Sequence, residues 1–319
     1  MGKKIKEVLS LIKNNKKFLI VSHKNPDGDS IGSEIALALG LRKLGKKVYI
    51  YNQDPPSNRY SRFDKAGLIH TDKKEFNEDI IFVVDCAEID RIGNIKDEIN
   101  FKKTIINIDH HISNEKFGDI NIVKGDYSST AEIIYELLDK LIDLDKDIAT
   151  YLYIGILTDT GSFRYPNTTS HSLKVAAELV DYGVITSQVS EFVWFSDPPA
   201  RIKLLGDVLQ RITLHKNFSI MIVTKDMLKK WGAKEEDTEE FVNYGLSIKG
   251  IKATAIIKEK DDGMLKVSLR SKNGVSIQEL AAEYGGGGHK TAAGFTIRGD
   301  LETFKNELEG KLEKIVNKF

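Results

Sequence analysis

Three apolar runs in the first third of the chain, Phe18–Val21, Ile80–Val84 and Thr104–Ile108, give way within two residues to an acid or imidazole side chain. Unbroken β-branched runs of this length are the pattern of strands buried on both faces, as in a parallel sheet. Lys47–Tyr51 is a fourth such run. The first breaks into Ser22-His23-Lys24-Asn25-Pro26-Asp27-Gly28-Asp29-Ser30, a turn by its Pro and Gly content. Ile31, Ile35, Ala38, Leu39 and Leu44 then recur at helical spacing, which predicts a helix with Ser30 as its N-cap. Strands alternating with helices imply an α/β unit around a parallel sheet. Such sheets bind ligands beyond the carboxyl ends of their strands. His23, Asp27 and Asp29 stand at one such end, Asp85 at a second and Asp109-His110-His111 at a third.

Helices are expected at about 128–142, 147–158 and 171–182, the second running into Asp159-Thr160-Gly161-Ser162-Phe163-Arg164. The pattern changes near Asp197-Pro198-Pro199, which divides the chain into a first domain over 1–188, a linker over 189–206 and a smaller mixed α/β domain over 207–319. The second domain is expected to open with strand-like runs at 207–214 and 218–224. Asp261-Asp262-Gly263 then signals a hairpin between strands at about 252–258 and 264–270. A helix over 276–283 leads into Gly285-Gly286-Gly287-Gly288-His289, read as a loop, then a strand to Ile297 and a last helix from about 301.

The 47 basic and 47 acidic residues cancel, so no global field exists to hold a long polyanion, whereas a short anion met by a few local cations fits. The single cysteine, Cys86, excludes an internal disulfide and suits a reducing cytoplasm. Met1-Gly2-Lys3-Lys4-Ile5-Lys6 leads into no apolar run long enough for a signal peptide or a membrane span, so the expected setting is cytoplasmic, without a membrane partner.

Taken singly, each acid at a strand end reads as a turn residue or a cap. Four segments ending alike, three strands and a helix, argue for a common purpose. His23, Asp27, Asp29, Asp85, His110 and Asp159 form a carboxylate-rich set with imidazoles. That donor mix suits Mn²⁺ or a similar first-row ion over Ca²⁺, and the lack of thiols speaks against structural zinc. The set is too large for one ion and about right for two divalent ions, with Asp85 as the candidate bridge. Two ions roughly 3.5–4 Å apart would hold a hydroxide, neutralise a phosphoryl group and stabilise the leaving oxygen.

These stretches, in this order, resemble the DHH phosphoesterase family, named for the triplet that stands here as Asp109-His110-His111. Within it they resemble the branch of nanoRNases and pAp phosphatases. The likeness extends to Arg91-Ile92-Gly93, to Thr158 through Thr169, and, in the second domain, to Leu269-Arg270-Ser271-Lys272 and Gly285 to His289 with Ala292-Ala293-Gly294. The resemblance implies that His23 and Asp27 bind one metal, Asp29, His110 and Asp159 the other, and that Asp85 bridges them. It places His111 against the scissile phosphate or its leaving group, with Asp109 orienting a histidine. Arg270, Ser271, Gly286, Gly287, Gly288 and His289 would hold the part of the substrate remote from the scissile bond. Arg91 is either a further phosphate contact or a solvated arginine. The implied activity is release of 5′-mononucleotides from short RNA or DNA oligonucleotides and conversion of pAp to AMP, in a cleft between the domains, with linear dinucleotides such as pApA as further substrates and a homodimer as the assembly.

Four rivals share parts of this pattern. A manganese pyrophosphatase should lack the glycine-rich His stretch, and a processive single-strand exonuclease should carry more basic surface. A cyclic-di-AMP or pApA phosphodiesterase needs the same two domains. A non-catalytic nucleotide sensor would tolerate lost ligands, whereas every expected ligand is present.

Overall fold

The computed structural model describes residues 2–57, 60–64, 67–72, 76–272 and 274–318, and of His289 the backbone alone. It divides into two units, Met1–Ser196 and Asp197–Phe319.

The first unit is built on six parallel strands, β1 (Lys17–Val21), β2 (Lys47–Tyr51), β3 (Ile69–His70), β4 (Ile80–Val84), β5 (Thr104–Asp109) and β6 (Ile120–Val123), ordered β3-β2-β1-β4-β5-β6. Its helices are α1 (Gly2–Asn14), α2 (Gly28–Lys43), α3 (Thr130–Leu138), α4 (Lys146–Asp159), α5 (Ser170–Asp181) and α6 (Thr186–Trp194). The central strands are apolar throughout because both faces are covered. Phe18, Ile20, Phe82, Val84, Ile106 and Ile108 enter one core with the helices, while Leu19, Val21, Ile81, Val83 and Ile105 pack with Ile92 and Ile95 on the other face. The edge strands β3 and β6 are absent from the sequence expectation. β3 has two residues, and β6 alternates buried with half-buried positions, so neither forms a continuous apolar run. The helix expected over 128–142 stops at Leu138, after which Leu141 and Ile142 continue as turns bonded to the Leu138 carbonyl.

From β1 the chain steps outward to β2 and β3, then returns to lay β4, β5 and β6 on the other side. The order therefore reverses between the neighbours β1 and β4. Loops leaving two such strands diverge and open a crevice, the usual ligand position in an open α/β sheet. His23 follows one of these strands and Asp85 the other. Helices α2 and α4 close on each other through glycine. A Cβ on Gly32 would stand 2.5 Å from the Tyr151 carbonyl, and one on Gly155 would stand 2.7 Å from Asp29 Oδ1. Asp159 lies one turn beyond Gly155, so this helix contact is what sets two acids from distant segments side by side.

The second unit contains α7 (Pro199–Gln210), β7 (Thr213–Leu214), β8 (Phe218–Val223), α8 (Lys225–Trp231), α9 (Phe241–Ser247), β9 (Ala253–Glu259), β10 (Met264–Ser271), α10 (Gln278–Glu283), β11 (Gly287–His289), β12 (Ala292–Arg298) and α11 (Leu301–Val316). Its mixed sheet runs β11-β12-β10-β9-β8-β7, with β8 and β9 parallel and the other pairs antiparallel. The expected strand over 207–214 is mostly helix. Pro199 starts α7, and Leu204, Leu205 and Val208 bury one helical stripe, leaving only Thr213–Leu214 as strand. The glycine run is likewise not a loop. Gly285 and Gly286 donate to the last carbonyls of α10, and Gly287–His289 forms the edge strand beside β12. Gly288, at φ +138°, lies so close to the Ala292 carbonyl and Ala293 that a side chain has no room there.

Candidate metal centre

Asp27, rather than Ser30, is the N-cap of α2. Its carboxylate accepts from the backbone N–H of Asp29 at 3.0 Å and of Ser30 at 3.1 Å. Ser30 moves into the first helical turn, where its buried hydroxyl donates to Asp85 Oδ2 at 2.6 Å and lies 2.8 Å from His23 Nε2. Asp85 takes a left-handed backbone, φ 53°, as the chain leaves β4, while its N–H still donates to the Ile108 carbonyl. A non-glycine residue held there is a local strain of the kind that collects at functional sites.

The described residues gather into three ligand groups: His23 with Asp27 and Asp85, Asp29 with His110 and Asp159, and Asp85 with His110 and His111. Within each, one donor atom per residue lies within 4.8 Å of the others. Asp85 and His110 each belong to two groups, so the three are contiguous. The imidazoles are oriented from behind. Lys24 O lies 2.8 Å from His23 Nδ1, which turns Nε2 toward Asp85 at 3.6 Å. His110 turns Nε2 to Asp159 at 3.5 Å, Asp85 at 3.8 Å and Asp29 at 4.0 Å. Asp109 is fully buried and stands 2.7 Å from His111 Nδ1. Asn114 donates to its other oxygen at 2.6 Å.

Each expected ligand has protein partners that fix it. Asp29 accepts from the Thr130 and Ala131 N–H groups at 2.7 and 3.0 Å, the open N-terminus of α3. Thr130 Oγ1 donates to Asp85 at 3.1 Å. Asn167 Nδ2 donates to the Asp159 carbonyl at 3.1 Å and to Ser128 O at 3.0 Å. Thr130 and Asn114 lie outside the motif stretches the sequence marks, and Asn167 lies inside one without a role assigned to it. Ser128-Ser129-Thr130 before an apolar run is a helix-start signature that could have marked the first, whereas the two asparagines carry no comparable signal.

Electrostatics show what this donor set lacks. Burial, reinforced by the charges of Asp85, Asp159 and Asp27, pushes Asp29 well above the ordinary carboxylate range. Burial and then Asp27 and Asp85 do the same to Asp159. For Asp85, burial opposes ionisation, but hydrogen bonding to His23 and the surrounding imidazoles outweigh it and hold the carboxyl far below its usual range. Burial would lower His23 and His111, yet the carboxylates beside them raise each to about 9. Four carboxylates crowded against imidazoles are relieved by divalent cations, and oxygen and imidazole nitrogen are the donors first-row ions take.

Arg91 lies beside this cluster, where its carbonyl accepts from Lys24 N at 2.7 Å and its charge opposes protonation of His111. In the second unit, half-buried Arg270 donates from Nη1 to its neighbour's carbonyl at 3.1 Å. The Ser271 hydroxyl donates to Val275 O at 2.6 Å, closing the turn after β10. The His289 side chain lies outside the described residues.

Residues 17–156 match the DHH family, N-terminal domain, and residues 217–317 the DHHA1 domain. The chain is 36% identical over 316 residues to a bifunctional oligoribonuclease and PAP phosphatase NrnA of Thermus thermophilus, covering 98% of this chain and 93% of that one. The Bacillus subtilis protein of the same name is 31% identical over 306 residues, covering 92% and 96%. A solved structure of an exopolyphosphatase-related protein from Bacteroides fragilis superposes with a TM-score of 0.93 at 29% identity, covering 98% of this chain and 96% of that one.

Proposed function

The chain belongs to the DHH family and is a phosphoesterase; from that premise we propose that it hydrolyses short oligonucleotides to 5′-mononucleotides and pAp to AMP. The names of the Thermus and Bacillus relatives supply both substrates. The observation that carries the chemistry is the sharing of Asp85 and His110 among three ligand groups, an arrangement suited to a pair of ions rather than one. We take these to be Mn²⁺; His23 and Asp27 would hold one, Asp29, His110 and Asp159 would hold the other, and Asp85 would serve both. When bound, such ions supply a water of lowered pKa and neutralise charge on the phosphoryl group.

The protein's own groups do the rest. Ser30 and Thr130 fix the Asp85 carboxylate from two sides, and the α3 N-terminus fixes Asp29, so neither ligand reorients during the reaction. Asp109 and Asn114 hold His111 so that Nε2 is presented to the scissile phosphate or its leaving oxygen. Arg270, Ser271 and the Gly286–His289 strand bind the far end of the substrate, with Arg91 as a further phosphate contact. Guanidinium groups suit that task because they grip phosphate with two parallel hydrogen bonds. A homodimer in the cytoplasm completes this reading, and light scattering tests the dimer.

The test is Mn²⁺-dependent hydrolysis of a 5′-labelled panel: RNAs of a few nucleotides, an RNA of about twenty, pAp, pApA and cyclic di-AMP. Cleavage of the short RNAs and pAp, with the long RNA and the cyclic compound spared, is the expected result. Preference for the cyclic compound would overturn it.

A further inference from the structure

Strand β2 contributes no donor to the metal centre, yet each of the three residues after it accepts a backbone N–H from the loops around that centre. Fully buried Asn52 extends the pairing toward β3 by giving its own N–H to the His70 carbonyl at 2.9 Å. Its side chain bridges two other elements: Oδ1 accepts from Ser22 N at 3.0 Å, and Nδ2 donates to Glu34 on α2 at 2.9 Å. Asp54 Oδ2 accepts from Asn25 N at 2.9 Å. Gln53 Oε1 accepts from Asn94 N at 2.7 Å. Gly93, at φ 77°, precedes that N–H, and a side chain there would collide with Gln53.

The turn from Ser22 to Asp29 is therefore held in two different ways. Its second half is fixed by α2, which Asp27 caps. Its first half bonds outward: Ser22 gives its N–H to Asn52, Lys24 to the Arg91 carbonyl at 2.7 Å, and Asn25 to Asp54. His23 stands between these anchors. Asn25 takes a left-handed backbone, φ 53°, which a non-glycine residue keeps where its surroundings fix it. Gln53 acts at one remove, by tying down the bend at Gly93 and with it the segment that carries the Arg91 carbonyl. His23 and Asp27 share a ligand group with Asp85, so the spacing of two of its donors depends on how the halves of the turn are set.

We propose that Asn52, Gln53 and Asp54 are positioning residues for His23, fixing the ligand-bearing turn from a strand end without ligands and so setting the affinity for one of two ions. The inference rests on the reading of His23 and Asp27 as ligands to one ion. None of the three residues belongs to a ligand group. They act through backbone N–H groups, as hydrogen-bonded supports behind metal ligands do. Asp54 is the cleanest point to cut. A carboxylate makes the firmest of the three bonds, and the residue is only half-buried, so its replacement leaves the core intact.

The experiment compares Asp54→Ala and Asp54→Asn with wild type by Mn²⁺ titration of the metal-free protein, amide hydrogen exchange and pAp hydrolysis. In Asp54→Ala one of the two ions should bind about tenfold more weakly while the other keeps its affinity. Exchange at Asn25 should quicken in the metal-free protein, with the thermal midpoint near that of wild type. The kcat for pAp should fall at limiting Mn²⁺ and recover as Mn²⁺ is raised, with KM for pAp unchanged. Asp54→Asn keeps an oxygen acceptor and should restore all three readouts, and Gln53→Ala should weaken the same ion by less. Unchanged Mn²⁺ affinity despite faster exchange at Asn25, or equal weakening of both ions, would overturn the positioning role and leave the proposed function intact. A wild-type protein that binds a single ion would remove the ligand reading and the inference with it. A wild type that binds two ions yet hydrolyses neither pAp nor short RNA would remove the proposed substrates alone, and selective weakening of one ion would still support the positioning role.

Discussion

The two sheets handle polar chemistry in opposite ways. In the first unit every strand runs parallel, so every carboxyl end emerges on the same edge, and the residues that punctuate the strands meet there. In the second, antiparallel neighbours send their ends both ways, so the polar groups that gather do so along a strand face. One sheet builds a buried, strained, tightly bonded centre; the other displays side chains on an open surface. Damage to the first should therefore strike turnover, and damage to the second should strike affinity.

Asp85→Ala tests the strongest form of that contrast. It removes the residue shared by two ligand groups, and kcat should fall by about 10³-fold, the scale of losing a preorganised electrostatic group. Chelation should abolish activity as completely, with Mn²⁺ restoring it in wild type but not in the variant. Arg270→Ala should cost about 10- to 100-fold, almost all in KM, as expected for one charged hydrogen-bonding partner. A comparable fall in its kcat would break the contrast. Asn114→Ala should cost about 10- to 100-fold in activity by releasing Asp109 and His111, without changing the donor set for metal. Metal titration should then read the same as for wild type.

Gly155→Ala and Gly286→Ala make a matched pair. Each forces a methyl against close neighbours, Ala131 and Asp29 in the first unit and Gly294 and Phe295 in the second, and each should destabilise by about 1–3 kcal/mol. Gly155→Ala should also depress kcat through Asp29, whereas Gly286→Ala should leave kcat alone and raise KM. The smallest effect belongs to Asp207, whose carboxyl is held well below its usual range by Lys230, Trp231 and Arg211. Its stabilisation is present above the ordinary carboxylate value and is lost as pH falls through and below it. Lys230 and Arg211 are more than half exposed, so Asp207→Asn should cost only about 1 kcal/mol at neutral pH, shrinking toward zero in acid denaturation series.

The same contrast explains what could be read without coordinates. His23, Asp85 and Asp109-His110-His111 were visible because a parallel sheet converts position at the end of an apolar run into position in space. Asp159 was visible for a related reason, at the end of a helix, but the glycine contact that brings it to Asp29 was not. Ser30 was misplaced because Asp27 competes for the same cap and its carboxylate reaches both free N–H groups first. In the second unit the glycine run gave no strand signal, since pairing with β12 depends on a partner outside the local window. Helix α7 was misread from residue 207 onward because Val208, Ile212 and Leu214 also fit an alternating pattern. The asparagines behind His111 and Asp159 belong to side-chain networks that only the assembled fold creates.

The reversal of strand order between β1 and β4 has a consequence for how the centre comes into being. Its donors are drawn from both sides of that reversal and from a helix completed only at residue 159, so even the richest local stretch, His23 to Asp29, lacks Asp85, His110 and Asp159 until the sheet closes. A nascent or partly unfolded chain can offer isolated acids and imidazoles, but not the convergent set. Ion capture is then coupled to closure of the whole sheet, a long-range event that comes late in folding. Retained metal becomes an all-or-none record that the first unit has folded, and the ion's free energy protects the finished state without templating the route to it.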